Sequence, residues 1–501
     1  MTSVSIVTLG CGRNEVDSDQ LAGLFHLAGD EVIADPLAAD VVVVNTCTFI
    51  APAKQESIDT VLEACQLKDD GSARAVIVVG CMAQRYPAEL AESIPEADAI
   101  VGFDGYATLP EIVRDVLAGT HTGRVMGVGA PHPGSRRAPS LPLLMTPTAA
   151  AAPAEHERVA SNPVAPQDSL DRIPASGPRF PIRAHDGRPW AYLKIASGCD
   201  RVCTFCAIPS FRGRFRSRPI DEILAEAHFL SGQGARELVL VSENTTSWGK
   251  DLGGRHLQSK LIEQLVEIDG IDLIRLMYLQ PAELDDDLLV TMAQQPKVAS
   301  YFDLSLQHVS GPVIERMARS GDQHKFGRLI AHIRELDPDA VFRSNFILGF
   351  PGETDSDVDC LVKFLTEYRL DWVGLFAYSP EDGTAAMSLD HQVAGDVAQQ
   401  RVRMVSEIQE QVANDAARHF VGRELEVIVQ ERFDGDVVAR SYREAPDTDG
   451  EIQLVAPGTY DRVTGRGQAV EVPVGRRVTG RVVDTAGVDL IAEVGPDHVT
   501  S

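Results

Sequence analysis

Three cysteines in the stretch SGCDRVCTFCAIP, Cys199, Cys203 and Cys206, constrain this chain more than any other feature. They follow the apolar run AYLKI, so the thiols begin where a buried strand ends. Three thiolates can hold a 4Fe-4S cube while one iron stays open. An open iron suits a chelating amino acid, and S-adenosylmethionine (SAM) brings an amino and a carboxylate group. The spacing therefore predicts an iron-sulfur cluster, SAM as cofactor and radical chemistry. Structural zinc wants a fourth ligand and paired Cys arms, and neither accompanies these three. Disulfides are not expected: 501 residues bury a large core unaided, and no signal peptide precedes SVSIVTLG.

Three more cysteines stand at strand ends. The runs SVSIVTL, DVVVVN and AVIVVG read as buried parallel strands, and Cys11, Cys47 and Cys81 follow them directly. In an open parallel sheet the carboxyl ends of neighbouring strands converge on one crevice. The expectation is an open parallel α/β domain over residues 1–118, with these thiols as ligands of a second three-thiolate cluster. The competing reading is three buried apolar cysteines near strand ends. That reading is preferred for Cys65 and Cys360, which sit inside helical patterns.

Residues 119–188 are rich in Pro, Ala and Ser and read as a linker or insertion. From residue 189 to 419, strand and helix alternate about six times, through AYLKI, ELVLV, IRLMYL, YFDLSL, FRSNFIL and VGLFAY. Such alternation implies a parallel (β/α) barrel, open or closed, with its chemistry at the strand carboxyl ends. Those ends carry the cysteine loop, Ser242 to Asn244, Gln280, His308, Gly349 to Glu353 and Ser379. Phe205 is the candidate adenine neighbour, and Glu243 or Asn244 would accept from the SAM ammonium and hydroxyls. Gly349 would admit the adenine close to the backbone. His308 reads as a hydrogen-bonded loop histidine. The run FRGRFRSRP alternates Arg212, Arg214, Arg216 and Arg218; it suits a carboxylate or phosphate clamp, but a solvated face is the commoner outcome.

A long helix follows, and residues 420–493 then break into short β-patterned runs that suggest a small antiparallel barrel. Small barrels often bind RNA, yet past Phe420 nine Arg or Lys face fifteen Asp or Glu. The whole chain has a formal charge of -27. Acid on this scale repels phosphate backbones and favours a basic protein partner. No apolar run is long enough to span a membrane, and unexported thiols point to the cytoplasm.

The chain is similar to the methylthiotransferases, radical SAM enzymes with an amino-terminal cluster domain, a central partial barrel and a carboxyl-terminal TRAM domain. The resemblance rests on LGCGRNEVDSD, NTC ending at Cys47, VGCMAQRY and SGCDRVCTFCAIPSFRGRFRSRP, and it covers nearly everything but the linker. It implies a multidomain α/β protein: an amino-terminal cluster domain, a central radical SAM partial barrel and a TRAM-like small barrel. It also implies two 4Fe-4S clusters, one on Cys11, Cys47 and Cys81 and one on Cys199, Cys203 and Cys206. YFDLSLQH, ILGFPGET and RSYREAPDTDGEI look like the branch that modifies an aspartate β-carbon in small-subunit ribosomal protein twelve, free or on the ribosome. The branch that modifies tRNA adenosine is the alternative. A flavodoxin or ferredoxin reductant and a sulfur donor are the further partners implied. The ribosomal-protein branch usually reads Pro-Lys-Asn after the first cysteine, where Gly12, Arg13 and Asn14 stand here.

Overall fold

A computed structural model describes residues 1–120, 123–128, 183–253, 257–433 and 435–495. Most of the segment expected as a linker lies outside the described residues. Its edges are ordinary folded chain: Val125–Met126 forms a strand, and Arg183 is buried.

The amino-terminal sheet is wholly parallel. Its strands are β1 (Ser3–Thr8), β2 (Glu31–Val32), β3 (Val41–Thr46), β4 (Ala75–Val79), β5 (Ala99–Val101) and β6 (Val125–Met126), in the order β2-β1-β3-β4-β5-β6. Helices cover both faces, so Val41 to Val44 are fully buried whichever way their side chains point. Each such valine contributes about 1.5–3 kcal/mol relative to an exposed one. The chain leaves β1 toward β2 on one side and β3 on the other. This is a topological switch point, where the carboxyl ends open a crevice.

The central unit follows the predicted rhythm. Strands β7 (Trp190–Lys194), β10 (Glu237–Val241) and β11 (Leu273–Leu276) form one parallel trio, and β12 (Tyr301–Gln307), β13 (Val341–Leu348) and β14 (Trp372–Ala377) form another. Parallel bridges at Ile274–Val298 and Leu279–Leu304 join the two trios. The result is a six-strand partial barrel in sequence order, open between β14 and β7. Outward residues such as Leu193, Leu240, Leu304 and Phe342 pack under the helices. Two short strands, β8 (Ala196–Ser197) and β9 (Arg216–Ser217), pair antiparallel and pinch the base of the cysteine loop.

The interior of this barrel mixes buried charges such as Lys194, Glu237 and Arg275 with an apolar cluster of Tyr192, Val239 and Tyr301, and the other two domains plug it, Val16 and Ala445 joining that cluster. Helix α1 (Gly12–Leu27) lies along β7, and a Cβ on Gly12 would fall 2.6 Å from the Tyr192 ring. Asp17 pairs with Lys194, and Asp19 accepts from Arg183 at 2.7 Å. After the helix Gly395–Arg418, strands β15 (Glu424–Phe433), β16 (Asp436–Arg440), β17 (Ile452–Val455), β18 (Arg477–Ala486) and β19 (Asp489–Glu493) close the small barrel. Its loop between β16 and β17 reaches under the central strands. Glu237 is shared by Arg275 at 2.8 Å and Arg440 at 2.7 Å, and Arg275 donates to the Tyr442 carbonyl at 2.7 Å. The Trp372 indole donates to the Arg443 carbonyl at 2.8 Å.

Candidate active site

The amino-terminal thiols meet at the switch-point crevice. Cys11 precedes α1, and its carbonyl accepts from the Asn14 amide at 2.7 Å. Cys47 leaves β3 and is clamped by Ser57 of helix α2 (Ala51–Asp69): its amide reaches the hydroxyl at 2.9 Å, and the hydroxyl donates back to its carbonyl at 3.0 Å. Cys81 opens the short helix α3 (Gly80–Arg85). It can do so because Gly80 takes φ +93°, where a Cβ would lie 2.5 Å from the Thr46 carbonyl. Asn14 ties the set together, donating to the Leu9 carbonyl at 2.7 Å and the Thr46 carbonyl at 3.3 Å.

The second trio lies in the loop after β7 and β8. The Cys199 amide donates to the Gly213 carbonyl at 3.1 Å, Cys206 to the Cys203 carbonyl at 3.1 Å, and Thr204 to the Met317 carbonyl at 3.1 Å. Gly198 makes the entry turn at φ +79°, and any Cβ there would strike the Arg214 carbonyl at 2.1 Å.

Burial raises most of these thiols. Cys47 is pushed up to about 12, with the neighbouring Cys81 and Cys11 adding to the rise. Cys206 rises to about 12 and Cys199 to about 11, again chiefly by burial and with Cys203 contributing. Cys11 goes the other way: burial pushes it up, but Arg13 and Arg212 together bring it below the ordinary thiol range. Among the described residues, no three His, Cys, Asp or Glu gather tightly enough to hold a single metal ion. A cube asks for something different, since each thiolate binds its own iron and the three need not converge on one point.

Three arginines serve the two trios. Arg13 donates to Cys11 Sγ at 3.3 Å and to the Ser242 carbonyl at 3.2 Å, and it lies over the Tyr278 ring at 4.9 Å. Arg212, 2 % exposed, donates to Cys81 Sγ at 3.0 Å, to Asn14 Oδ1 at 2.8 Å and to Glu243 Oε1 at 3.2 Å. Arg319 donates to Cys203 Sγ at 3.3 Å and to Gln280 Oε1 at 2.8 Å. Arg13 also bears on Cys206, so its charge reaches both trios.

The predicted cofactor contacts divide. Glu243 lies at the end of β10 with one oxygen shared by Arg212 and Arg13; the other, Oε2, is buried with no hydrogen-bond partner. A buried carboxylate oxygen left bare is costly, and an ammonium would satisfy it. Asn244 has no such spare capacity: its amide nitrogen donates to Ser247 at 2.8 Å and its oxygen accepts from Thr246 at 2.7 Å. Phe205 packs edge-on to Phe350 with centroids 6.4 Å apart. Gly349 has φ +75°, and a Cβ would meet Ala398 at 2.2 Å, so a packed helix already accounts for the glycine. His308 is fully buried, accepting at Nδ1 from the Ser310 amide at 3.0 Å, which is the loop role expected of it.

The alternating arginines are the correction. Arg212 and Arg218 are buried, not solvated: Arg212 reaches Cys81 and Asn14 of the amino-terminal domain, while Arg218 donates to the Lys194 carbonyl and to Glu226 Oε2, both at 2.7 Å, inside the central domain. Tyr278 and Gln307, at φ +62° and +69°, hold left-handed backbone at strand ends, which no pattern in the sequence signals. Cys65 lies in α2 and Cys360 in the helix Asp355–Tyr368, away from either trio.

Comparison with known proteins agrees with this division. Residues 3–102 match the uncharacterized protein family UPF0004, residues 193–365 the radical SAM superfamily and residues 421–494 the TRAM domain. A ribosomal protein uS12 methylthiotransferase RimO from Kineococcus radiotolerans is 46% identical over 497 residues, covering 98% of this chain and 97% of that protein. The protein of the same name from Saccharopolyspora erythraea is 47% identical, covering 97% and 94%. Among solved structures, the radical SAM methyltransferase TsrM from Kitasatospora setae aligns with a TM-score of 0.52 at 16% identity, covering 77% of this chain and 75% of that one, a likeness of fold alone. With three domains matched in order and near-complete relatives above 40% identity, this chain belongs to the RimO family of radical SAM methylthiotransferases.

Proposed function

We propose that this enzyme adds a methylthio group to the β-carbon of an aspartate in ribosomal protein uS12, using SAM and two 4Fe-4S clusters. The reading rests most on one observation: the loop that carries Cys199, Cys203 and Cys206 sends Arg212 to Cys81, so two separate thiol trios, from two domains, adjoin one short segment. Cys199, Cys203 and Cys206 would hold the cluster that binds SAM, and Cys11, Cys47 and Cys81 the cluster that presents sulfur. When bound, these groups supply a 5'-deoxyadenosyl radical able to take hydrogen from an unactivated carbon, and a methylated sulfur to replace it. The chain's own part is placement. Glu243 Oε2, buried without a partner, would accept from the SAM ammonium, Arg319 donates to the Cys203 thiol, and Ser57 fixes the Cys47 backbone. A flavodoxin or ferredoxin would deliver electrons, and a separate donor the sulfide.

The acidic small barrel suits a basic ribosomal protein and argues against tRNA, as do the relatives' names. The test is the mass of the uS12 aspartate peptide with and without the gene; an unchanged mass removes the assignment. Anaerobically reconstituted protein should hold about eight irons, four for each cube.

A further inference from the structure

The arginine at the amino-terminal trio comes from the wrong domain. Cys81 belongs to α3, yet the guanidinium 3.0 Å from its sulfur is that of Arg212, in the helical turn Ile208–Arg212 that ends the radical SAM cysteine loop. Arg13 approaches the same trio from α1, at Cys11. Glu243 closes the circuit from β10, with Oε1 3.2 Å from Arg212 and 3.9 Å from Arg13. Asp17 stands 3.7 Å from Arg212 and is itself committed to Lys194. All these groups are buried or nearly so. Charges in such a setting are poorly screened and act strongly on one another.

We propose that Arg212 is a positioning residue that carries positive charge from the central domain into the amino-terminal thiol trio, so that this trio's electrostatic shell is complete only when the two domains are docked. The proposal rests on the assignment of a cluster to Cys11, Cys47 and Cys81. A cube held by three thiolates is anionic, and hydrogen bonds and net charge around its sulfurs set its potential. Two guanidinium groups facing it favour the more negative, reduced state and an anionic sulfur on its open iron. Because Arg212 also grips the carboxylate offered to the SAM ammonium, one residue touches the surroundings of both cofactor sites.

The experiment uses full-length protein carrying Cys203→Ala, in which only the amino-terminal cluster remains, and reads its midpoint potential by an EPR-monitored titration. Adding Arg212→Gln should shift the reduction equilibrium at least tenfold toward the oxidised state, about 59 mV for one electron. Arg212→Lys should recover most of that shift, which a purely structural role would not require. Arg13→Gln should move the potential in the same direction, and Arg212→Met takes the place of Arg212→Gln if that variant fails to fold. An unchanged potential in the neutral Arg212 variant, or a Lys variant as displaced as that one, overturns the proposal. If the parent Cys203→Ala protein contains no iron, the cluster assignment itself has failed, which is a separate result.

Discussion

At the residue scale, function depends on which buried polar atoms already have partners. Glu243 keeps one oxygen bare while Asn244 spends both of its groups on neighbours, so the two adjacent candidates separate cleanly. Glu243→Gln should weaken SAM binding by about ten- to a hundredfold, the worth of a charged hydrogen bond of about 1.5–3 kcal/mol, as measured by calorimetry on reconstituted protein. Asn244→Ala should change binding far less. Cys203→Ala should abolish 5'-deoxyadenosine formation while leaving about four irons per chain. The amino-terminal thiols were legible in the sequence because each directly follows an apolar run, where parallel sheets place chemistry, and the central three because of their spacing Cys199-x3-Cys203-x2-Cys206 in the loop after AYLKI. The arginines were not. Arg212 and Arg214 differ by two positions in one alternating run, and only the docked amino-terminal domain makes the first buried and leaves the second half-buried.

At the element scale, the thiols owe their positions to two glycine turns. Gly80 and Gly198 both adopt left-handed backbone, with carbonyl oxygens where a side chain would go. Gly198→Ala should therefore deform the entry to the radical SAM loop and cut iron content toward about four atoms per chain. Gly80→Ala should lower stability by on the order of 2 kcal/mol or more, read as a fall in the thermal midpoint. Four of the six strands of the amino-terminal sheet carry hydrophobic runs, but β2 and β6 have only two residues each and hang on pairing with longer neighbours. That is why no pattern announces β6, within the stretch that composition assigns to a linker. In the central barrel the inward face was hidden, because it mixes apolar residues such as Val239 and Tyr301 with charged ones such as Arg275, Asp303 and Arg343, which look like strand-breaking noise until their partners are known.

At the scale of the whole molecule, buried ion pairs join the central domain to each of its neighbours. Burial pushes the Glu237 carboxyl up, but Arg440 and Arg275 outweigh it and hold it below the ordinary carboxylate range. A depressed folded-state value means the stabilisation is complete above the ordinary Glu value of about 4.3 and is lost as pH falls through the depressed one. Acid unfolding should therefore be steeper in the parent than in Glu237→Gln. The Gln variant should also be less stable at neutral pH, where about 3–5 kcal/mol goes with a broken buried pair. Deleting residues 135–175, by contrast, should leave iron content and turnover largely unchanged. The order of the domains could be read from the runs and turns, but their mutual docking could not, since it depends on pairs more than a hundred residues apart such as Arg275 with the carbonyls of Ser441 and Tyr442. Those partners also impose a timetable on synthesis. The floor of the central barrel is translated after every one of its walls, so a nascent chain stopped before residue 440 holds Glu237 without Arg440 and Arg275 without its carbonyl acceptors. Until that last loop leaves the ribosome, the charges at the base of the barrel wait for the partners that settle them.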